Sequence, residues 1–366
     1  MWLLWLSLCT FTAHVLGAAP HNDTSGFSSA CGLGNATSSA KLSNHIAAFS
    51  PEETFQSTTV HKEIIIASAN SQVLPLVLNL LKSIRNLDIV PDAGRQLRFL
   101  LVVFNPEALA LCEEFALPCF YPKRLFAHLG IQHLDKTYMA YGSEHFKRIT
   151  LSLTHIIGWF LREGWTVFNT DVDIVWLKSP YEAPADIFAY NNANDIAIGG
   201  NNRPYYKKND DINTGFYRVK PTEWSVNFFE QMFKECEHRN VDDQDCMKKR
   251  LSEGGEAAMA HLAFLNTTDY PISGCVWKKM KDEDRKNRAH LFHAACMSGM
   301  AEKLSFMNNF GMLLCSKLKK NWISVDAKGW PSNEDGKNTL STTLQQIRAS
   351  VKGEASPGLA RVLDLC

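Results

Sequence analysis

Short apolar runs alternate along the chain with segments whose apolar residues recur at helical spacing. Residues 63–70 and 98–104 are apolar runs of strand length, and residues 76–87 between them repeat leucine and isoleucine at helical intervals. Strands that alternate with helices in this way are typical of parallel sheets with right-handed crossovers. The pattern therefore predicts an α/β fold with three layers around a mostly parallel central sheet.

The same alternation continues through the middle of the chain. It predicts further helices and strands, with helices at 106–115 and 224–237 and strands at 119–121, 166–168, 195–199 and 213–219. Ser143 and Gly164 are suitable N-cap and C′ residues for another helix between them. The signals weaken after Asn321, where residues 329–336 resemble a linker and one last helix is expected near 342–351.

These patterns divide the chain into four parts. Residues 1–19 have the short apolar core and small-residue end of a secretory signal peptide, and residues 20–58 have the Ser/Thr/Gly-rich composition of a flexible stem. Residues 59–325 are expected to form the folded domain, and residues 326–366 a C-terminal tail with a short helix. A membrane anchor is the alternative to a signal peptide, but polar residues interrupt the apolar run well short of a spanning length.

Composition narrows the possible functions. The 366 residues are 45% hydrophobic and 21% charged, as in ordinary globular proteins, and the formal net charge is zero. This charge balance gives no indication of a nucleic-acid partner, and an anionic substrate would need a metal ion or a local cationic site. No later segment approaches the length of a membrane span, so no stable transmembrane span is expected after signal cleavage.

Two further features agree with entry into the secretory pathway. Asn22, Asn35 and Asn266 each begin an Asn-x-Thr sequence, the form of an N-glycosylation acceptor. The chain has ten cysteines, nine of them after the predicted signal peptide, which is many for a cytosolic protein of this size. The close pairs Cys112/Cys119 and Cys236/Cys246 make local disulfides plausible, although the complete pairing cannot be read from the sequence.

The pair Asp171 and Asp173 is the strongest candidate for chemistry. The buried strand that begins at Thr166 ends at these carboxylates, which alternation in an extended backbone would direct to the same side. Two neighbouring carboxylates repel each other unless a cation lies between them, and Mn²⁺ or Mg²⁺ bound there could bridge to a diphosphate. Two other Asp-x-Asp triplets occur, at 243–245 and 282–284, but only the first ends a buried strand.

Several motifs in this order resemble the nucleotide-diphospho-sugar transferase domain of glycosyltransferase family 77. The motifs are residues 168–180, Asn213-Thr214-Gly215-Phe216-Tyr217, Asp243-Gln244, and His293 with Lys303. The resemblance covers roughly residues 60–310 and implies a GT-A-like fold, a nucleoside diphosphate sugar donor of the UDP type, and a divalent metal, Mn²⁺ or Mg²⁺. It also implies transfer with retention of anomeric configuration, as in plant xylosyl- and arabinosyltransferases of the secretory pathway.

The resemblance also implies roles for individual residues. Asp171, Asp173 and His293 would bind the metal, and Asp243, Gln244 and Asn213 would serve the reaction itself. The donor would contact the two aspartates together with Gly215, Lys303, Arg148 and Asn70. Arg148 and Asn70 are placed there only by position, at the start of the helix before the Asp171 strand and at the end of the first strand.

Several of these residues also have a simpler explanation. Asn213-Thr214-Gly215 could be a plain turn, and Asp243 with its acidic neighbours could belong to a helix N-terminus, where aspartate is electrostatically favoured. His293 could be a core-edge histidine, and His290, three residues earlier, is an alternative ligand. Arg148 and Lys147 could be ordinary surface charges.

The sequence therefore predicts a lumenal or secreted glycosyltransferase, located in the Golgi or exported, that acts on a glycan or glycoprotein hydroxyl. One alternative is a secreted nucleotide-sugar hydrolase or phosphodiesterase, which would usually need a second metal and more ligands than these clusters supply. The other is a carbohydrate-binding relative that keeps the fold without the chemistry.

Overall fold

The computed structural model describes residues 47–48, 61–87, 95–131, 142–179, 193–200, 212–297, 299–321, 333–351 and 359–366. The predicted signal peptide and the predicted stem, except for residues 47–48, lie outside the described residues. Those two residues, Ala47–Ala48, differ from the expectation of a stem because they pair as a short antiparallel strand with the folded domain.

Eight strands form the central sheet, in the order β1-β3-β2-β5-β8-β7-β9, with β4 paired to β3. Their bounds are β1 Ala47–Ala48, β2 His61–Ala69, β3 Arg95–Val103, β4 Cys119–Phe120, β5 Thr166–Thr170, β7 Ile196–Gly200, β8 Ile212–Val219 and β9 Leu262–Leu265. The strands β2, β3, β4, β5, β7 and β9 run in one direction, and β1 and β8 run against them. The predicted mostly parallel sheet is therefore confirmed.

Helices cover both faces of this sheet. Their bounds are α1 Leu74–Asn86, α2 Pro106–Glu114, α3 Lys123–His128, α4 Glu144–Arg162, α5 Glu223–Cys236, α6 Asp243–Met259, α7 Gly274–Lys279, α8 Asp282–Asn287, α9 Gly299–Asn309, α10 Ser316–Asn321, α11 Asn333–Val351 and α12 Leu359–Leu365. Ser143 caps α4 by accepting from Phe146 N, and Gly164 follows its end with a φ of +81°, as the sequence predicts.

The strand β2 shows why its sequence is a continuous apolar run. Ile64 and Ile66 pack into one core with α4, α5 and α6, whereas Ile65 and Ala67 pack into a second core with α1, α9 and α11. Successive side chains point to opposite faces of a sheet, so a strand covered on both faces is apolar on both, as residues 64–67 are. The result is the three-layer, GT-A-like α/β architecture that the sequence predicts.

One ion pair crosses the middle of the sheet. Arg218 of β8 donates to Glu63 of β2 at 3.0 Å, and the side chains are 2% and 0% exposed. The guanidinium group also lies over the Phe168 ring, with its carbon 5.5 Å from the ring centroid. The apolar character of the flanking residues gives no indication of this pair, because its members are 155 positions apart.

A second, two-stranded sheet lies beside the carboxyl end of β5. Its strands are β6, Ile174–Trp176, and β10, Leu291–His293, which pair in antiparallel register. The apolar residues that follow Asp173 therefore leave the central sheet instead of continuing β5. The backbone of Trp176 is held against α1, where its N–H donates to the Ser83 hydroxyl at 3.0 Å.

The C-terminal segment is more structured than the sequence indicates. The expected short helix near 342–351 is α11, which begins at Asn333 within the expected linker, has 19 residues and contacts α1, α9 and α10. Ile347 and Val362 are fully buried in the core beside α1, and Cys366 forms a disulfide with Cys315. Residues 333–351 and 359–366 therefore pack as part of the folded domain. The prediction of a tail missed this because the amphipathic pattern there is weak.

The structure contains three disulfides among the described residues. Cys112–Cys119 and Cys236–Cys246 are the two local pairs that spacing suggested, and Cys315–Cys366 joins the residue before α10 to the residue after α12. Within the described ranges, no helix combines the length and hydropathy that crossing a bilayer requires.

Candidate active site

A cleft of about 1300 Å³ opens at the end of the sheet where β2 and β5 finish. This is the edge at which ligands bind in open α/β sheets, and the volume exceeds that of ordinary small-molecule pockets. Most of the residues singled out in the sequence line this cleft, including Asn70, Asp171, Asp173, Asn213, Gly215, Asp243, Gln244, His293 and Lys303.

The position of Asp171 and Asp173 follows from the end of β5. Asp171 continues the backbone pairing with β8 by donating its N–H to the Gly215 carbonyl at 2.8 Å. A turn then directs the chain into β6, and the Asp173 carbonyl accepts from Ala294 N at 3.2 Å. Asp171 is left 53% exposed at the cleft, whereas the Asp173 side chain is 5% exposed.

His293 reaches the two aspartates through the small sheet. In the antiparallel pairing of β10 with β6, His293 lies opposite Ile174, the residue that follows Asp173. Its Nε2 atom is 3.3 Å from Asp173 Oδ1 and 3.5 Å from Asp171 Oδ2. The three residues could hold a metal ion, because one ligand atom from each lies within 4.8 Å of the others.

Opposite charges stabilise this cluster. Burial by itself would raise the pKa of Asp173, but the neighbouring charges of Lys303 and His293 hold it well below its usual range. Burial would lower the pKa of His293, and Asp173 and Asp171 instead raise it to about 9. Lys303 Nζ donates to Asp173 Oδ2 at 2.7 Å, so this lysine joins the cluster while also lining the cleft.

Gly215 is required by the close approach of three side chains. A Cβ atom at this position would lie 2.5 Å from His293 Cε1, 2.7 Å from Asp171 Oδ2 and 2.9 Å from Asn213 Oδ1. The glycine thus leaves room for the side chains of the candidate metal ligands. Any larger residue would displace the cluster.

The segment around Gly215 is a bulge in β8. Ile198 pairs with Tyr217 but the next residue, Gly199, pairs with Asn213, so three residues of β8 have no partner in β7. The bulge is held from three sides: Asn213 Oδ1 accepts from Gly215 N at 2.8 Å, Gln244 Oε1 accepts from Thr214 N at 3.3 Å, and Asn169 Nδ2 donates to the Thr214 carbonyl at 2.8 Å.

Asp243 and Gln244 lie in the first turn of α6, which also faces the cleft. Asp242 is the N-cap and accepts from Asp245 N at 2.8 Å, so the simpler explanation of an acidic helix start is true as well. Burial of the carboxyl group raises the pKa of Asp243 to about 7, with further contributions from the charges of Asp242 and Asp171. A carboxyl group that titrates near neutral pH in a cleft is a candidate for chemistry.

Asn70 lines the cleft and also has a structural role. Its Oδ1 accepts from Gln72 N at 3.1 Å and from Val73 N at 3.2 Å, which caps the short 3₁₀ turn before α1.

Arg148 differs from the expectation of a donor contact. The α4 residues that line the cleft are Phe146, Ile149, Thr150 and Leu153, which share one helical face, and Arg148 lies off that face. Its guanidinium group donates to the Leu129 carbonyl at 2.7 Å and to Glu144 at 2.6 Å. The structure therefore does not bring Arg148 to the cleft.

His290 is separated from the metal cluster. It is 8% exposed and stacks on Tyr270 with 4.9 Å between the ring centroids, and its backbone carbonyl accepts from Leu177 N at 2.8 Å. His290 precedes β10, and the group of described residues that could hold a metal ion contains His293 but not His290.

Among the cleft residues that were not identified from the sequence, four have notable contacts or chemistry. Asn169 and Thr150 support the bulge and the start of α6, where Asp243 N donates to the Thr150 hydroxyl at 3.3 Å. Asn169 could have been noticed as a polar residue within the apolar run of β5. Cys275 and Cys296 also line the cleft, and neither belongs to the three disulfides.

Comparison with known proteins identifies related sequences and folds. Residues 96–307, more than half of the 366, match the sequence profile of the nucleotide-diphospho-sugar transferase family. The uncharacterized protein At1g28695 of Arabidopsis thaliana is 27% identical over 139 residues, an alignment that spans 37% of this chain and 39% of that relative.

Two solved structures have a similar chain path. Mouse xyloside xylosyltransferase 1, in its apo form, is 15% identical, with a TM-score of 0.41 over 64% of this chain and 98% of that protein. The galactosyltransferase LgtC, solved with donor and acceptor sugar analogues, is 13% identical, with a TM-score of 0.40 over 77% of this chain and 95% of that protein.

Proposed function

Because the chain belongs to the nucleotide-diphospho-sugar transferase family, we propose that it is a metal-dependent glycosyltransferase. The proposed donor is a UDP-linked sugar, the acceptor is a hydroxyl group of a glycan or glycoprotein, and the anomeric configuration is retained. The observation that carries this proposal is the cluster of Asp171, Asp173 and His293, which opens into the cleft within the range of the family match.

The residues of the cluster fit a divalent metal. Two carboxylates and an imidazole suit Mn²⁺ better than Mg²⁺, which prefers oxygen ligands, and Mg²⁺ is the alternative cofactor. The bound ion would supply Lewis-acid stabilisation of the leaving diphosphate. Gly215 supports this role, because any side chain there would overlap His293 and Asp171.

Lys303 and Asn70 are the proposed donor contacts outside the metal cluster. The Lys303 ammonium group lies 2.7 Å from Asp173 Oδ2 and lines the cleft, so it can also interact with a diphosphate as a point charge. Asn70 lies at the carboxyl end of β2 and lines the same cleft. Arg148 is left out of this set, because its guanidinium group is engaged elsewhere.

Asp243, Gln244 and Asn213 are proposed to serve the reacting centre. Asp243 is close enough to the metal cluster for the Asp171 charge to contribute to its raised pKa, and its carboxyl group can position an acceptor hydroxyl or stabilise developing positive charge on the sugar. Gln244 and Asn213 hold the bulge that places Gly215, and both line the cleft, where their amide groups can orient the donor sugar.

The test is a set of nucleotide sugars assayed with and without Mn²⁺. Thermal shift and donor hydrolysis are measured together, with Asp173→Asn as the matched variant that lacks one ligand. Transfer to an added sugar acceptor supports a transferase, and a product whose anomeric configuration by NMR matches that of the donor supports retention. Hydrolysis without transfer to any acceptor favours the hydrolase, and donor binding without turnover favours a binding protein.

The proposed compartment is the secretory pathway, either the Golgi lumen or the exterior. Three disulfides agree with an oxidising environment, and Asn266, which begins one of the three sequons, is exposed at the end of β9. Expression of the full chain in a secretory host is expected to give a mass that decreases on glycosidase treatment. Recovery of an unmodified, fully reduced protein would contradict this location.

A further inference from the structure

Cys275 and Cys296 differ from the other described cysteines in their exposure. The six cysteines of the three disulfides are at most 6% exposed. Cys275 and Cys296 are thiols, both are exposed, and both line the cleft. Small molecules that enter the cleft can therefore reach these two sulfur atoms, whereas the three disulfides are shielded by packing.

The two chain segments that carry these thiols are held together. Gly274 N donates to the Ala295 carbonyl at 2.9 Å, and a Cβ atom on Gly274 would lie 2.8 Å from that oxygen, so a side chain there would force the segments apart. Ser273, which precedes Gly274, links the two cysteines. Its hydroxyl donates to Cys296 Sγ at 3.3 Å and accepts from Cys275 N at 3.2 Å.

The side chains of the two cysteines interact with each other. Burial raises the pKa of the Cys275 thiol, and the hydrogen bond and charge of the neighbouring Cys296 raise it further. Cys296 itself has a φ of +69°, a left-handed conformation that a non-glycine residue adopts only when its surroundings hold it there. The fold thus holds two accessible thiols side by side in the wall of the cleft.

We propose that Cys275 and Cys296 are a redox-sensitive pair that closes to a fourth disulfide and reopens while the three buried disulfides persist. This inference does not depend on the proposed transferase activity. Exposed disulfides are the labile ones, because thiols in solution can reach their sulfur atoms. The bridge would tie the start of α7 to the loop that follows His293, and so restrain the wall beside the candidate metal cluster.

The chemistry is thiol–disulfide exchange with a low-molecular-mass disulfide such as oxidised glutathione. One cysteine thiolate attacks the small disulfide, forms a mixed disulfide and releases one glutathione thiolate. The second cysteine thiolate attacks the protein sulfur of that mixed disulfide and releases the other glutathione. The two cysteines lose two protons and two electrons, and oxidised glutathione takes up both electrons to become two reduced molecules.

The test equilibrates the full chain in buffers of different glutathione ratio. Thiols are then blocked by alkylation, and unreduced peptides are identified by mass spectrometry. The Cys275–Cys296 link is expected to rise from about 10% to about 90% over roughly a hundredfold change in [GSH]²/[GSSG], as a two-electron exchange requires. Cys112–Cys119, Cys236–Cys246 and Cys315–Cys366 should remain linked throughout.

The matched control is Cys275→Ser, which removes one thiol from an exposed position. In the oxidising buffer this variant should carry a glutathione adduct on Cys296 instead of a bridge. The proposal is overturned if wild-type protein keeps two alkylated thiols or two separate adducts in excess oxidised glutathione. It is also overturned if either cysteine links to Cys31, the ninth cysteine after the predicted signal peptide, or if the bridge resists reduction as long as the buried disulfides do.

Discussion

Two groups of charges, one at the centre of the main sheet and one beside its carboxyl edge, differ in what surrounds them. At the centre, Arg218 and Glu63 form a single pair 3.0 Å apart, with side chains 2% and 0% exposed. At the carboxyl edge, Asp173 and His293 are buried to a similar degree, but Asp171 is 53% exposed and Lys303 is 25% exposed. The central pair is closed to water, whereas the edge cluster opens into the cleft.

The difference shows how burial of charge separates a structural role from a binding role. One carboxylate and one guanidinium group neutralise each other in the central pair, so the pair has no charge left to offer a ligand. The edge cluster sets two carboxylates against a lysine and a histidine that can lose its proton, so a divalent cation can replace that proton. Changes in the central pair should therefore mainly lower the stability of the fold, and changes in the edge cluster should mainly lower ligand affinity.

The largest effect on stability is expected from breaking the central pair. Glu63→Gln should lower the free energy of unfolding by roughly 3–5 kcal/mol, because it leaves the buried Arg218 charge without its partner. Chemical denaturation measures the change. Asp364→Asn is the control, since it removes an exposed pair with Arg85 and should cost at most about 1 kcal/mol. Equal costs in the two variants would show that burial does not decide the outcome.

The largest effect on binding is expected from the edge cluster. Asp173→Asn should weaken Mn²⁺-dependent donor binding by about a hundredfold or more, because it removes an anionic metal ligand. It should destabilise the fold less than Glu63→Gln, since Asp171 still faces the buried His293 and Lys303, which loses this ion pair, is partly exposed. Titration calorimetry and melting curves measure the two quantities.

Asp243→Asn separates the two parts of the proposed site. It should leave donor affinity nearly unchanged and lower turnover, because Asp243 is assigned to the reacting centre. Asp245→Asn, an exposed residue of the same helical turn, is the matched control and should behave like wild type. Equal loss of donor affinity in Asp173→Asn and Asp243→Asn would show that this division of roles is wrong.

The two histidines of the β10 region test the metal ligands directly. His293→Ala should raise the Mn²⁺ concentration needed for half-maximal donor binding by roughly 10–100-fold, with partial recovery in excess Mn²⁺. His290→Ala should keep wild-type metal dependence while it loses packing against Tyr270. A metal defect in His290→Ala but not in His293→Ala would show that the assignment of His293 as the ligand is wrong.

The smallest expected effect is a pH-dependent difference in stability at Asp243. Its pKa is raised to about 7 in the fold, so the native state holds this proton more tightly than the unfolded chain does. The loss of native-state stability from ionising the Asp243 carboxyl group grows as pH rises from about 4 and is complete above about 7. The melting temperature of Asp243→Asn relative to wild type should therefore be about 2–4 °C more favourable at pH 8 than at pH 5. A difference in melting temperature that stays constant between pH 5 and pH 8 would contradict this expectation.

Much of the candidate site follows from sequence patterns, but its assembly does not. The apolar run that ends at Asp171 predicts the strand and the edge at which it stops. The approach of His293 depends on the pairing of β10 with β6, between residues more than a hundred positions apart, which no local pattern encodes. Arg148 was misplaced for a similar reason, because a helix start does not reveal which helical face meets the cleft.

Local physical chemistry along the chain determines the strand and helix types, the two short disulfides and the polar ends of the strands. Apolar periodicity, capping residues and close cysteine spacing act within a few residues, so they can be read directly. Tertiary structure alone decides that Gly215 must be glycine, that Glu63 pairs with Arg218, that the C-terminal helices join the core, and that Cys275 lies beside Cys296. These features depend on side chains that only the folded chain brings within a few ångströms of each other.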